Sequence, residues 1–105
     1  MFFKNYRLYK DAKIRESLLW EYNTKQINWH QMRNIVVQRV IERGRINDFY
    51  AMLNLYQLKG VKDAIRQIPS MNNKDIAFVC SVFDLKKEEL KCYTRKQLTN
   101  QHWNS

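Results

Sequence analysis

The sequence predicts an all-α protein, a compact bundle of five to six short helices in a single domain spanning residues 1–105. The 105 residues are close to the usual size of one domain, and 45% of them are hydrophobic, which is enough for one core. Only two glycines and one proline are present, whereas sheet proteins need many turn residues. Apolar residues also recur at intervals of three and four, the spacing that places them on one face of a helix.

Residues 1–12 are predicted to form a basic N-terminal arm, because lysine and arginine outnumber acidic residues there. This arm either contacts a polyanion or is a frayed or loosely docked terminus. A first helix is expected over residues 12–21, and its buried side is predicted to consist of Ile14, Leu18, Leu19 and Trp20.

A second helix is expected over residues 29–43, where the apolar stripe is wide and comprises Met32, Ile35, Val36, Val37, Val40 and Ile41. Wide stripes are typical of a central helix that is packed on two sides. Asn28 is its candidate N-cap, because an Asn side chain accepts hydrogen bonds from the first helical turn. Gly44 is expected to end the helix in the left-handed conformation, which costs glycine little.

A third helix is expected over residues 48–58 and is predicted to be capped by Asn47. Its buried face is predicted to consist of Phe49, Met52, Leu53 and Tyr56. Asp48 lies in its first turn, where a negative charge is favoured by the helix dipole. Gly60 is expected to end this helix.

Two further helices follow before the C-terminal region. The fourth is expected over residues 61–67 and stops before Pro69, because proline cannot continue a helix. The fifth is expected over residues 74–83, with Asn72 or Asn73 as its N-cap.

Residues 76–95 have the pattern of a helix-turn-helix, in which two helices meet at a steep angle across a short turn. Cys80 supplies the small residue at the helix contact, and Asp84 occupies the turn position that needs a positive φ. The second helix of this motif is predicted to be the sixth of the chain, over residues 87–98, and residues 99–105 are expected to form a frayed tail. The side chains expected to be buried around the turn are Val79, Phe83, Leu85, Leu90 and Tyr93.

Basic residues on the sixth helix are candidates for DNA binding. Lys87, Lys91 and Arg95 are spaced four apart and are predicted to line one stripe that faces the base edges in the major groove. Lys86 and Lys96 are predicted to contact phosphates, which gives affinity without sequence information. The formal net charge of +9 agrees with a polyanionic partner.

Other features favour different interpretations. Glu88 and Glu89 would repel phosphates, so the segment could equally be a plain helical hairpin with a solvated basic face. Arg39 and Arg43 share a face of the second helix, where they either grip a phosphate or an acidic partner or interact with the helix dipole.

The remaining residues give no indication of an enzyme, a cofactor or a metal site. No glycine-rich phosphate loop is present, and no Ser or Cys nucleophile has a recognisable His base. His30 and His102 lack ligands at metal-binding spacing. Cys80 and Cys92 are expected to be reduced thiols, although a disulfide is an alternative. The aromatic residues predicted to belong to the core are Trp20, Trp29, Phe49 and Tyr56.

The N-terminus lacks the apolar run of a signal peptide, and no stretch approaches the roughly 20 apolar residues of a membrane span. We therefore expect a cytoplasmic protein with no membrane contact.

Several runs of residues together resemble a known protein family: Leu18–Tyr22, Ile27–Trp29, Val40–Gly44 with Phe49, Leu53, Leu55 and Tyr56, and Phe83–Leu85 with Leu90, Cys92 and Tyr93. The chain resembles, over about residues 18–93, a family of small, largely uncharacterised bacterial helical proteins. Some members are encoded beside nucleotidyltransferase-like toxins, so the resemblance implies an antitoxin role. It implies a shared fold and no particular functional residues.

These observations predict a non-enzymatic, DNA-binding accessory or regulatory protein, an autoregulatory antitoxin that binds double-stranded DNA as a homodimer. The alternative is an adaptor that binds or neutralises a protein partner, such as a toxin, through a helical face.

Overall fold

The structure, a computed structural model, describes residues 3–93, and no strand occurs within that range. Its α-helices are α1 (Arg33–Arg43), α2 (Ile46–Gln67) and α3 (Asn73–Val82). Residues 91–93 are also helical, and short 3₁₀ turns lie at Tyr6–Leu8, Glu16–Leu19 and Lys87–Glu89. The all-α prediction is confirmed for this part of the chain, whereas the predicted count of five to six helices is not.

The core lies mainly between α1 and α2, which make the most extensive contact between elements. The apolar stripe predicted for α1 is confirmed at four side chains, which are buried: Val36, Val37, Val40 and Ile41. Met32 is partly buried, and Ile35 is 37% exposed. They pack with the buried face of α2, which includes Met52, Leu53, Val61, Ala64 and Ile65. Helical spacing therefore identified the right face of both central helices.

Helix α1 begins at Arg33, later than the predicted residue 29. The carboxamide oxygen of Asn28 accepts the N–H groups of His30 and Gln31, at 3.1 and 3.2 Å. Asn28 therefore caps a turn that leads into α1, and the regular helix starts four residues after the predicted position.

The left-handed conformation predicted for Gly44 is wrong, because its φ is −73° and its ψ is 154°. Glycine is required at this position for space. A Cβ on residue 44 would collide with the carbonyl oxygen of Val40 and lie 2.8 Å from its Cγ1. The chain therefore leaves α1 in an extended conformation that passes directly over the last helical turn.

The buried carboxylate of Asp48 organises the corner between α1 and α2. Its two oxygens accept the N–H of Arg45 at 2.8 Å, and the N–H and Nε of Arg15 at 3.0 and 2.9 Å. The Arg15 guanidinium also donates to the carbonyl of Arg43 at 2.9 Å. Burial raises the pKa of the Asp48 carboxyl, but these hydrogen bonds and the charge of Arg15 outweigh burial and lower the pKa below its ordinary value of 3.8.

The predicted cap at Asn47 is wrong, because α2 begins at Ile46 and Arg45 is its N-cap residue. Asp48 is the third residue of the helix and accepts the N–H of Arg45, as the acidic residue of a capping box does.

Helix α2 is broken at Gln57, whose φ of 62° and ψ of 164° are not helical. This region of backbone space is essentially restricted to glycine, and a side chain there costs roughly 1–3 kcal/mol. The predicted break between a third and a fourth helix is therefore present, but it lies at Gln57 and not at Gly60. Gly60 is within the helix and has no positive φ.

The end of α2 and the start of α3 agree with the sequence signals. Helix α2 stops at Gln67, two residues before Pro69. Of the two candidate caps for α3, Asn72 is the correct one, because its side chain accepts the N–H of Asp75 at 2.7 Å.

The helix predicted over residues 12–21 is wrong, since this stretch contains only the 3₁₀ turn Glu16–Leu19. Leu18 and Leu19 are buried as expected, but Trp20 is 74% exposed. Three consecutive residues cannot share one face of a helix, because each step rotates the side chain by about 100° or more.

The N-terminal segment is docked on the core from the first described residue onwards. Phe3 and Tyr6 are buried, and the ring of Phe3 stacks on Phe49 with centroids 4.8 Å apart. The carboxamide nitrogen of Asn54 donates to the carbonyls of Tyr6 and Tyr9, at 2.9 and 3.1 Å. This segment therefore covers one side of α2.

Replacement of Gly44 by alanine should destabilise the fold by about 1–3 kcal/mol, because the new methyl group overlaps the carbonyl of Val40. Gly60→Ala is the matched control. Its Cβ would lie 3.2 Å from that of Tyr56, and the gain in helix propensity offsets this tight contact. Urea unfolding of both variants measures the difference, and equal effects at the two glycines would contradict this explanation.

Asp48→Asn should reduce the free energy of unfolding at pH 7 by about 2 kcal/mol, because it removes a buried charge that three N–H groups stabilise. The pKa of Asp48 is lower in the folded state, so its contribution is present above the unfolded-state pKa and is lost as pH falls through the folded-state value. The gap between wild type and variant should therefore narrow as the pH falls below about 5.

Denaturant unfolding between neutral and acidic pH tests this dependence. Asp63→Asn is the control, because the Asp63 side chain is 43% exposed and pairs with Arg66 at the surface. Its effect should stay below about 0.5 kcal/mol. A wild-type to Asp48→Asn gap that does not change with pH would rule out the assigned role of the charge.

Candidate nucleic-acid interface

The turn that follows α3 has the backbone geometry expected from the sequence. Asp84 has a φ of 55°, in the left-handed region predicted for this position. The N–H of Leu85 bonds to the carbonyl of Cys80 at 3.1 Å, and the N–H of Phe83 bonds to that of Val79 at 3.0 Å. The bond from Leu85 to Cys80 is the six-to-one contact of a Schellman motif, which ends α3 and reverses the chain.

The side chains around the turn form an apolar anchor. Of the residues predicted to be buried, Val79, Phe83, Leu85 and Leu90 are buried, whereas Tyr93 is only partly buried. Cys92 is also buried, which the sequence did not indicate. Cys92 lies two residues after Leu90, a spacing that does not place two side chains on one face of a helix.

The second helix of the predicted motif does not begin at Lys87. Residues Lys87–Glu89 form a 3₁₀ turn, and Leu90 is extended, with φ −90° and ψ 125°. Helical backbone resumes only at residues 91–93. The steep pair of helices that defines a helix-turn-helix is therefore not confirmed within the described residues.

The lysines of this region are exposed but are not arranged as predicted. Lys86, Lys87 and Lys91 all lie at the surface. Because Leu90 interrupts the helix between them, Lys87 and Lys91 do not share one helical stripe, and that prediction is wrong. Arg95 and Lys96 lie outside the described residues, as do the end of the predicted sixth helix and the tail. We call residues 86–91 the basic segment.

The two carboxylates of the basic segment have different surroundings. Glu89 accepts the N–H of Lys86 at 2.8 Å and lies 3.4 Å from a guanidinium nitrogen of Arg66. The hydrogen bond from Lys86 lowers the pKa of Glu89, and the charge of Arg66 lowers it further. Glu89 therefore acts as a local cap with its own cationic partner, and Glu88 is the exposed acidic side chain beside it. The repulsion of DNA phosphates expected from Glu88 and Glu89 is therefore reduced at Glu89.

The two cysteines near the basic segment are reduced thiols, as expected. Burial raises the pKa of the Cys80 thiol, although the charge of Lys87 opposes this effect. Cys80 is therefore protonated at neutral pH and serves as a small packing residue beside the turn.

The other two basic candidates, Arg39 and Arg43, have different surroundings. Arg39 donates to the carbonyl of Leu18 at 3.0 Å and pairs with Glu21 at 2.6 Å, so it fastens the N-terminal region to α1. Arg43 is exposed. Arg39 and Arg43 therefore do not form a joint phosphate grip, because one of them is already occupied.

Within residues 3–93, no group of three or more His, Cys, Asp and Glu side chains could hold a metal ion. No helix in the same range combines the length and apolar character needed to cross a membrane. His102 lies outside the described residues.

The fold and its surface define a small helical protein that carries a basic segment next to a left-handed turn. Residues 14–65 match the model of a family described as a family of unknown function (DUF6922). This match agrees with the expected resemblance to an uncharacterised family, and it ends before α3 and the basic segment. No curated protein and no solved structure was found that matches the chain.

The conformation of Asp84 can be tested by comparing Asp84→Gly with Asp84→Ala, since both lose the carboxylate. The alanine variant should be less stable by about 1 kcal/mol, because only alanine is penalised at a φ of 55°. Ala77 is exposed in α3, and its replacement by glycine should destabilise the helix by a similar amount. Thermal unfolding of the three variants provides the measurement. A glycine variant at position 84 no more stable than the alanine variant would exclude the left-handed conformation.

Proposed function

We propose that this protein is a DNA-binding accessory or regulatory protein that contacts the duplex through the basic segment and the residues that follow it. The observation that supports this function most directly is the left-handed turn at Asp84. It is followed by buried Leu85 and Leu90, between which the backbone is held at the surface. Lys86 and Lys87 lie on this stretch and are exposed.

The chemistry of the segment suits a phosphate backbone. Lysine side chains neutralise phosphates and release bound counterions, which provides affinity for any sequence. Lys91 lies where helical backbone resumes, and Arg95 follows it by four residues in the sequence. In this proposal Lys91 and Arg95 reach the base edges, while Lys86, Lys87 and Lys96 contact phosphates.

The net charge of +9 supports the same partner, because it attracts a polyanion over long range. The proposal includes binding as a homodimer in the cytoplasm. The resemblance to bacterial proteins encoded beside toxins supports a more specific role as an autoregulatory antitoxin.

The test is a titration of a labelled DNA duplex of about 30 base pairs at several salt concentrations, followed by fluorescence anisotropy. Binding should weaken steeply as salt rises. A variant with Lys86→Glu, Lys87→Glu and Lys91→Glu should bind at least about tenfold more weakly and show a shallower salt dependence. Thermal unfolding checks that the variant is folded.

The matched control carries Lys10→Glu, Lys13→Glu and Lys25→Glu, which change the net charge equally at exposed lysines elsewhere. This control should retain most of the DNA affinity. Equal losses in both variants would show that only net charge matters, and the absence of duplex binding at low salt would reject DNA binding.

A second candidate function is an adaptor that binds or neutralises a protein partner. The observation that favours it is the exposure of large apolar side chains, among them Leu8 at 80% and Trp20 at 74%. Exposed aromatic residues are enriched at protein interfaces. Failure of the DNA titration together with binding of a defined protein would favour this function.

A further inference from the structure

A cleft of about 500 Å³ lies between the N-terminal segment, the loop before α1 and the outer face of α2. Apolar side chains line it, including Ile14, Trp29 and Leu55. Three lysines also line it: Lys10, Lys13 and Lys25. The cleft therefore combines an apolar surface with positive charge.

The lysines of this cleft give it an excess of positive charge. Within residues 3–93 the structure shows no ion pair to Lys10, Lys13 or Lys25. Glu16 is the acidic residue among those that line the cleft, and its carboxylate lies 3.4 Å from the hydroxyl of Thr24. The local potential therefore favours an anionic ligand.

A second cleft of about 560 Å³ continues from the first, because Glu16, Thr24 and Lys25 line both. Trp20 and Tyr22 line the second cleft and are exposed, at 74% and 36%. We call the two clefts together the groove. The first cleft is mainly apolar, and the second is mainly polar apart from the rings of Trp20 and Tyr22.

Hydrogen bonds fix the elements that form the groove. The side chain of Asn54 bonds to the carbonyls of Tyr6 and Tyr9 on the N-terminal side. On the other side, the Tyr56 hydroxyl donates to the carbonyl of Trp29 at 2.6 Å. Burial raises the pKa of Tyr56 to about 12, so this hydroxyl remains a donor at physiological pH. A preformed surface of this kind binds with a smaller loss of conformational entropy.

We propose that the groove binds an extended peptide segment of a partner protein in which acidic residues flank a large apolar side chain. The apolar side chain occupies the cleft beside Ile14 and Leu55, and the carboxylates pair with the lysines around it. In the first cleft the apolar lining is mainly aliphatic, whereas single-stranded nucleic acids bind by stacking their bases on aromatic rings. Trp20 and Tyr22 in the second cleft are exposed rings, so competition by a nucleic acid is one outcome of the test.

This site rests on the second candidate function, the binding of a protein partner, because Trp20 belongs to both. It is separate from the proposed DNA contact, because the groove and the basic segment share no residue. A protein partner and a DNA duplex could therefore be bound through different parts of the same chain.

A library of random twelve-residue peptides displayed on phage, selected against the full-length protein, tests the proposal. Enriched sequences should contain Asp or Glu on both sides of Leu, Ile, Phe or Trp. A synthetic peptide of the most enriched sequence is then labelled, and its binding is measured by fluorescence anisotropy.

Two variants examine the charge and the apolar surface separately. Lys10→Glu, Lys13→Glu and Lys25→Glu together should weaken peptide binding at least about tenfold, as expected when several charge pairs become repulsive. Leu55→Ser should weaken it without a change in charge.

The control is the variant with Lys86→Glu, Lys87→Glu and Lys91→Glu, which should bind the peptide as tightly as wild type. Circular dichroism melting checks the fold of each variant.

Three outcomes would overturn the proposal: no enrichment from the library, peptide binding that is unaffected by both groove variants, or a single-stranded oligothymidylate that competes with the peptide and depends on the same three lysines. The last result would identify the groove as a nucleic-acid site. Each triple-lysine variant is the test in one assay and the control in the other. Failure of peptide binding is therefore distinguishable from failure of DNA binding.

Discussion

The carboxylate of Asp48 joins three parts of the chain: the N-terminal region, the end of α1 and the start of α2. It accepts hydrogen bonds from Arg15 in the N-terminal region and from Arg45 at the start of α2. Arg15 in turn reaches the carbonyl at the end of α1. A buried carboxylate is stable only when such donors surround it. The α1–α2 corner and the path of the N-terminal segment are therefore coupled, and the position of the groove beside α2 depends on both.

Positive charge lies in two separate regions of this fold, each of which we propose as a binding site. The basic segment follows a rigid turn and has little apolar surface exposed, which suits the regular charge of a phosphate backbone. The groove places lysines around aliphatic and aromatic side chains, which suits a peptide with both acidic and apolar groups. Each region on its own raises the repulsion within the folded state, so a bound anion would stabilise the protein. The two proposals thus account for different parts of the same excess charge.

The backbone changes direction at two residues whose positive φ would favour glycine, but neither residue is a glycine. Asp84 and Gln57 both have positive φ, whereas neither glycine does. At Asp84 the buried residues on either side hold the turn, and aspartate tolerates this conformation better than most residues. At Gln57 the backbone is in a more restricted region, and the packing of both halves of α2 on the core imposes it. The backbone strain therefore lies at two exposed residues, away from the buried packing.

The sequence by itself determined features that depend on neighbours within one helical turn: the buried faces of α1 and α2, an asparagine cap at position 72 or 73, the stop before Pro69 and the left-handed turn at Asp84. Only the tertiary structure decided the exposure of Trp20, the burial of Asp48 and the ion pair of Arg39. The contacts of Asp48 and Arg39 join residues more than ten positions apart, as the separation of 33 positions between Arg15 and Asp48 illustrates. Periodicity reports which side chains share a face, whereas the chain segment that covers that face is chosen by packing across the whole fold.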